Sequence, residues 1–311
     1  MYSLLQVIIP VFLVIGFGYL AVLSKWFADS GVEALMKFTQ NFAIPCLLFR
    51  AVSNLDLGQT FQLALLGSFY FGAVFSFVLG LLGARFLFKR NWDESVAVGF
   101  CCLFSNSVLL GLPITERAYG IQALSGNFAI IAVHAPIAYF VGITVMELIR
   151  NQGTRGPLLI KKVLGSMFKN ALVISLILGF GINLLGILLP TVITDGIDLF
   201  SKAALPVALF GLGGVLVRYR PEGDLRIILY ICTISLLVHP SLVWLTGRYF
   251  DLSKTDFRSA ILTAAMAPGI NTYIFANMYG SARRIAASAV LIGTALTIFT
   301  ASFWLYALGK S

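Results

Sequence analysis

Long stretches without a charged side chain alternate along this sequence with short, mostly basic connections. Eight charge-free runs, residues 1–24, 57–84, 95–115, 118–146, 170–194, 227–247, 259–282 and 285–309, exceed the roughly 18 residues that mark a membrane-spanning helix. Two shorter runs, 38–49 and 203–217, reach that length when Lys37 and Lys202 are included. The pattern predicts an all-α integral membrane protein with ten transmembrane helices. It leaves no stretch for a separate soluble domain.

Span 4 departs from a plain membrane helix. Its charge-free run carries Ser105, Asn106, Ser107, Gly111 and Pro113. A proline removes one backbone donor and clashes with the preceding turn, so carbonyls near Leu109 and Leu110 are expected to lose their helical partners. Such backbone is tolerated at membrane depth only where protein or a water-filled cavity covers it. The stretch therefore reads as a broken helix lining a polar site.

The second half of the chain echoes the first. Span 2 contains Pro45 and span 7 contains Pro206, an offset of 161; Tyr119-Gly120 beyond span 4 matches Tyr279-Gly280 in span 9, an offset of 160. A near-constant offset indicates an internal duplication. Five spans per half force the second copy to enter the membrane from the opposite side, which gives two inverted repeats, 1–150 and 168–311, joined by a basic connection at 151–167. Paired, interrupted spans at matching positions of inverted halves point to the midplane binding site of a secondary transporter.

Composition agrees with the pattern: 59% of residues are hydrophobic, 11% are charged, and the mean hydropathy is +0.93. A net charge of +9 raises the question of nucleic acid, but its placement answers it. Fourteen Lys and Arg, among them Lys25, Arg150, Arg155, Lys161, Lys162, Lys169, Arg283 and Arg284, fall on one set of loop ends, against six on the other. That asymmetry puts both termini outside the cytoplasm. The surplus charge is expected to meet anionic lipid heads. Residues 1–24 lack a basic lead and a small-residue cleavage site and are read as the first span, where Gly16 and Gly18 permit close helix packing. Cys46, Cys101, Cys102 and Cys232 lie in apolar runs and are read as reduced packing residues.

Chemistry concentrates on spans 4 and 9. A half-helix that begins in the membrane centre presents free N–H groups and a partial positive charge, and two such ends would attract a carboxylate. Candidate substrate-binding residues are Ser105, Asn106, Ser107, Gly111 and Pro113 with Pro268, Gly269, Asn271, Thr272 and Tyr273. The glycines would permit close backbone approach and the carboxamides would donate. The alternative is a proline-kinked helix whose polar groups bond to neighbouring helices. Secondary candidates are Asn41, Pro45, Pro206, Lys37, Lys202, His134 and His239. Either lysine can counter an anion or extend to the headgroups, and Lys202 can pair with Asp195 or Asp198. Either histidine can titrate in proton coupling or bond locally. Glu116 is expected to pair with Arg117 or a loop cation.

No Asp or Glu stands at the centre of any span. An ion site would then use carbonyls and hydroxyls, and the coupling ion, proton or sodium, stays open. Catalytic and metal-binding motifs, phosphate-binding glycine loops and cofactor sites are not found. The reading is a carrier of a small organic anion, with a passive anion channel or a ligand-sensing receptor as alternatives.

Four motifs carry a family resemblance: residues 41–49 (Asn-Phe-Ala-Ile-Pro-Cys-Leu-Leu-Phe), 106–113 (Asn-Ser-Val-Leu-Leu-Gly-Leu-Pro), 204–213 (Ala-Leu-Pro-Val-Ala-Leu-Phe-Gly-Leu-Gly) and 267–280, beginning Ala-Pro-Gly-Ile-Asn-Thr-Tyr. In this order they resemble the auxin efflux carrier family, whose members include plant auxin exporters and bacterial malonate and malate carriers. The resemblance implies a fold similar to that of the bile acid sodium symporters, with broken spans 4 and 9 crossing. Spans 1, 2, 6 and 7 would form a dimerising scaffold, and spans 3–5 and 8–10 a transport domain that moves in an elevator mechanism. It also implies that Asn106 lies at the crossing. Thr272 stands where plant members have a second proline, which separates this pocket from theirs.

Overall fold

The computed structural model describes residues 2–54, 62–150, 171–219 and 222–309. The connection expected at 151–167 lies outside the described residues, as do Lys161, Lys162 and Lys169. Regular structure among the described residues is helical, with one isolated β-bridge. A helix satisfies its backbone internally, which suits a chain this poor in polar side chains.

The chain opens with α1 (Tyr2–Leu23), then α2 (Asp29–Phe38) and α3 (Ile44–Ser53), which a π-helical turn (Thr39–Ala43) joins. Helix α4 (Leu63–Phe86) precedes α5 (Trp92–Leu103); a second π turn (Ser107–Gly111) leads into α6 (Leu112–Tyr119) and, after a 3-10 turn, α7 (Ser125–Arg150). Next come α8 (Ala171–Leu184), α9 (Thr191–Leu216) and α10 (Leu225–Thr233), the last continued by a third π turn (Ile234–Val238) into α11 (His239–Tyr249). Helices α12 (Lys254–Ala264), α13 (Ile270–Tyr279) and α14 (Arg283–Leu308) follow. Among the described residues, six stretches are helical, long and apolar enough to cross a membrane: Gln6–Leu23, α4, α7, α9, Leu225–Tyr249 and α14.

Each π turn is followed two residues later by a proline: Pro45, Pro113 and Pro240. A proline has no N–H to give to the carbonyl four residues back, and a widened turn relieves the clash. Pro113 is thus absorbed without breaking the helix. The interruption of span 4 lies further toward the N-terminus than the proline suggested, at residues 104–106.

Contacts divide the chain into two compact units. The larger comprises Met1–Ile9, Phe61–Ile160 and Tyr219–Ser311. Its central helix, α4, packs against α5 and α11. Ser68, Gly72, Ser76 and Gly80 recur every four residues on one buried face of α4. Small residues at that spacing let backbones approach. A Cβ at Gly99 of α5 would lie 2.7 Å from the Phe77 carbonyl oxygen, and one at Gly72 2.9 Å from Val243. The opposite face carries exposed Phe71, Phe75 and Leu82.

The smaller unit comprises Pro10–Thr60 and Lys161–Arg218. Helix α3 packs on α8 and α9, and α9 on α2. A Cβ at Gly18 would run into the Phe210 carbonyl and one at Gly213 into that of Ile15, whereas Gly16 faces open space. Close packing of α1 therefore depends on Gly18. Arg50 bonds Asp198 at 2.8 Å, so it is Arg50 and not Lys202 that holds that carboxylate.

Candidate functional site

Two interrupted helices meet inside the larger unit. Helix α5 ends at Leu103, Phe104 turns extended (φ −90°, ψ 91°), and the chain resumes helical form after Asn106. Helix α12 ends at Ala264, and α13 begins after Gly269, whose backbone is extended at φ −77° and ψ 164°. The two breaks bond to each other. The Asn106 N–H donates to the Ala267 carbonyl at 2.8 Å, and the Gly269 N–H donates to the Phe104 carbonyl at 2.9 Å. Between these bonds Ser105 and Pro268 form an antiparallel bridge. Backbone that left its helices is thereby partly satisfied by its counterpart.

The helical ends that start here are capped unequally. Asn106 accepts the Leu109 N–H on its Oδ1 at 3.3 Å. Gly269 has no side chain to cap with, and its carbonyl instead accepts the N–H of Thr272 at 3.0 Å and the Thr272 hydroxyl at 2.7 Å. The first amides of α13, those of Ile270 and Asn271, have no acceptor within their own helix. Together with the helix dipoles they favour negative charge at the crossing.

Ser105, Asn106 and Ser107 are 3%, 5% and 3% exposed. The Ser105 Oγ and the Asn106 Nδ2 nevertheless have no hydrogen-bond partner. Buried polar atoms without partners are uncommon and mark places where a ligand or water completes the set. Asn271 and Tyr273 are half-exposed. The Tyr139 hydroxyl donates to the Asn271 Oδ1 at 3.3 Å, and Tyr273 packs on Tyr219 with the rings tilted by 46° and their centroids 5.1 Å apart.

The sequence candidates separate on this geometry. Gly269 is confined: a Cβ there would lie 3.3 Å from the Phe104 ring and 3.5 Å from the Asn106 Cα. Gly111 is not, since its Cβ would make an ordinary contact with Met266 at 3.6 Å. Thr272 is fully buried and its hydroxyl is held by Gly269, so it shapes the break. Pro113 sits in the first turn of α6. Arg117 donates to the backbone carbonyls of Gln6 and Val7, so its bonding partners are backbone rather than the expected Glu116.

His134 and His239 are buried, on α7 and α11. The remaining candidates belong to the smaller unit, where Pro45 is buried while Lys37, Asn41, Lys202 and Pro206 are exposed. Among the described residues, no group of three or more His, Cys, Asp or Glu side chains is placed to hold a metal ion.

Three participants had no sequence signal. Tyr139 reaches Asn271 across 132 residues. Gly293 leaves room for the bridge proline, since a Cβ there would lie 3.0 Å from the Pro268 Cδ. Asn127 donates to Thr263 at 2.8 Å and to Thr115 at 3.3 Å, tying α7 to α12 and α6 beside the crossing.

Comparison with known proteins gives a consistent picture. The family model described as "Membrane transport protein" matches residues 3–305. The uncharacterized transporter YfdV of Escherichia coli (strain K12) is 22% identical over 316 residues, covering 96% of each chain. A protein of Rhizobium meliloti (strain 1021), provisionally named a malonate transporter, is 25% identical over 308 residues, covering 96% of this chain and 94% of its own. Auxin efflux carrier component 8 of Arabidopsis thaliana is 23% identical over 354 residues, covering 96% of this chain and 95% of its own.

Proposed function

This chain belongs to the membrane transport protein family, and on that premise we propose that it is a secondary carrier of small organic carboxylates. The observation that carries the reading is the crossing itself. Two interrupted helices hold each other by reciprocal backbone bonds, with the Ser105 Oγ and the Asn106 Nδ2 buried and unpartnered beside them. A carboxylate there would accept from the Asn106 carboxamide, the Ser105 hydroxyl and the first amides of α13. It would gain charge-assisted bonds where those donors otherwise have none. The name given to the Rhizobium meliloti relative supports a dicarboxylate such as malonate.

The division into two units supports alternating access, with the larger unit carrying the crossing across the membrane and the smaller one serving as scaffold. The inverted ten-span arrangement draws support from paired features. Interrupted helices occur at 92–119 and again at 254–279, and each second half-helix closes on Tyr-Gly with glycine at positive φ, Gly120 at 82° and Gly280 at 70°. Charge placement supports an inner-membrane orientation with both termini non-cytoplasmic.

The test is uptake by proteoliposomes under an imposed membrane potential, with a panel of labelled mono- and dicarboxylates and indole acetate. Saturable uptake of one acid is expected. Asn106→Ala and Asn271→Ala should each weaken it by about tenfold, the loss of one or two charge-assisted bonds. Uptake of an acid that both variants leave unchanged would remove the site assignment.

A further inference from the structure

The chain has two histidines, and the fold brings both to one place. His134 is 2% exposed and His239 1%. The ring of Phe69 stands against both, 5.5 Å from His134 and 5.2 Å from His239 between centroids. His134 also packs against the helix break, with its ring 4.7 Å from that of Phe104. It approaches the backbone of Ser105, yet neither of its ring nitrogens has a hydrogen bond of good geometry. An imidazole buried this deeply ordinarily holds a partner on at least one nitrogen. Here the unpartnered imidazole, the Ser105 Oγ and the Asn106 Nδ2 belong to one crossing.

The surroundings hold no fixed charge. Residues 65–84, 95–115, 118–146, 227–247 and 259–282, which supply the helices around the crossing, contain no Asp, Glu, Lys or Arg. The titratable neighbours are His239 on α11, Tyr70 on α4, Tyr139 on α7, Cys101 and Cys102 on α5, and Cys232 on α10. Tyr70 donates its hydroxyl to the Ile130 carbonyl at 2.9 Å, and Tyr139 donates to Asn271. None of these supplies a counter-charge at neutral pH. A lone cation is unfavourable in such a place, and so is a lone anion. A cation and an anion that enter together neutralise each other.

We propose that His134 takes up one proton when a carboxylate binds at the crossing, so that anion and proton cross the membrane together. The inference rests on the carrier reading above and names its coupling ion and the residue that holds it. The proton comes from the aqueous side that the site faces, bonds to a free ring nitrogen of His134, and leaves with the carboxylate on the other side. His239, across Phe69, disfavours a second proton by like-charge repulsion. The coupling is therefore one proton per anion, and a monocarboxylate moves without net charge. His134 is more than a packing residue in this account, because it sets the driving force and not merely the shape of the site.

The experiment uses the full chain in proteoliposomes with a pH-sensitive dye in the lumen and the potential clamped. The probe is whichever carboxylate the parent exchanges. Equimolar exchange of labelled for unlabelled acid establishes the carrier itself. Net uptake should then acidify the lumen, and an alkaline lumen should accelerate uptake by about tenfold, in the range of ordinary coupling factors. In His134→Gln, whatever exchange remains should come without acidification and without a response to the pH step. His134→Asn should do the same.

Net uptake by the parent with no proton entering the lumen overturns the proposal and leaves the carrier standing. Proton entry that persists in both variants overturns it as well. No exchange by the parent with any acid overturns the carrier reading, and the coupling with it. The dye measurement on the parent needs no variant, so a misfolded substitution does not decide the matter.

Discussion

The backbone N–H of Asn106 donates to the carbonyl of Ala267 at 2.8 Å, a bond between two chain segments that have both just left a helix. Two residues further along the second segment, the Gly269 N–H donates to the Phe104 carbonyl on the far side of the Ser105 and Pro268 bridge. Close approach of the two backbones is thus a requirement of the crossing, and several consequences can be measured.

Gly269→Ala brings a Cβ to 3.3 Å from the Phe104 ring and 3.5 Å from the Asn106 Cα. Overpacking of this kind costs about 1–3 kcal/mol, and here it presses on the bonded backbone. The variant is expected to melt lower in detergent and to transport poorly. Gly111→Ala is the control, because its Cβ meets Met266 and the Asn106 carbonyl oxygen at ordinary distances, 3.6 and 3.8 Å. Thermal unfolding followed by tryptophan fluorescence should separate the two.

Tyr139→Phe removes the hydroxyl that holds the Asn271 carboxamide. A single neutral hydrogen bond contributes about 0.5–1.5 kcal/mol. Since the bond orients a proposed binding group, KM for the transported acid should rise by roughly threefold to tenfold, on the scale of tenfold per 1.4 kcal/mol. An unchanged KM would remove Asn271 from substrate contact.

Ser68 and Ser76 are fully buried with hydroxyls that bond to nothing, whereas the Thr263 hydroxyl accepts from Asn127 at 2.8 Å. Removing an unpartnered hydroxyl is neutral or stabilising, while removing a partner strands the group left behind at about 1–3 kcal/mol. Ser76→Ala should therefore match or exceed the parent in melting temperature, and Thr263→Val should fall below it.

Arg150 gathers the end of α13 to the rest of the larger unit. It bonds Asp93 at 2.7 Å and the Tyr279 carbonyl at 2.6 Å, and its guanidinium lies 5.0 Å from the Tyr279 ring centroid. Only a planar, forked cation serves these groups at once. Arg150→Ala should raise amide hydrogen exchange across residues 274–281, and Arg150→Lys should not restore it. Because the ion pair is partly exposed, the effect on global stability should stay near zero to 1 kcal/mol, about the worth of a surface pair.

Much of this was legible in the sequence. Asn106, Pro113, Pro268 and Gly269 stand out because polar, proline and glycine residues are conspicuous in an apolar run. The place of the break was not legible, because a π turn absorbs Pro113 and the sequence does not reveal which of two relaxations the backbone takes. Tyr139 and Gly293 were invisible for a different reason. Tyrosine and glycine are ordinary in membrane helices, and their importance arises from neighbours far away in the chain. Thr272 stood among the candidates as part of the span 9 motif, and its hydroxyl donates to the Gly269 carbonyl, a local bond that the sequence does not announce.

Pro268 has a consequence beyond its shape. It occupies the position in the two-stranded contact where no N–H is called for, since the bonds flank it through Ala267 and Gly269. A slip of one residue in either direction would place it where a donor is needed, and proline has none to give. The crossing is therefore locked in register like a rivet. In the proposed carrier, whatever motion takes the site from one side of the membrane to the other must move these two segments as a single piece.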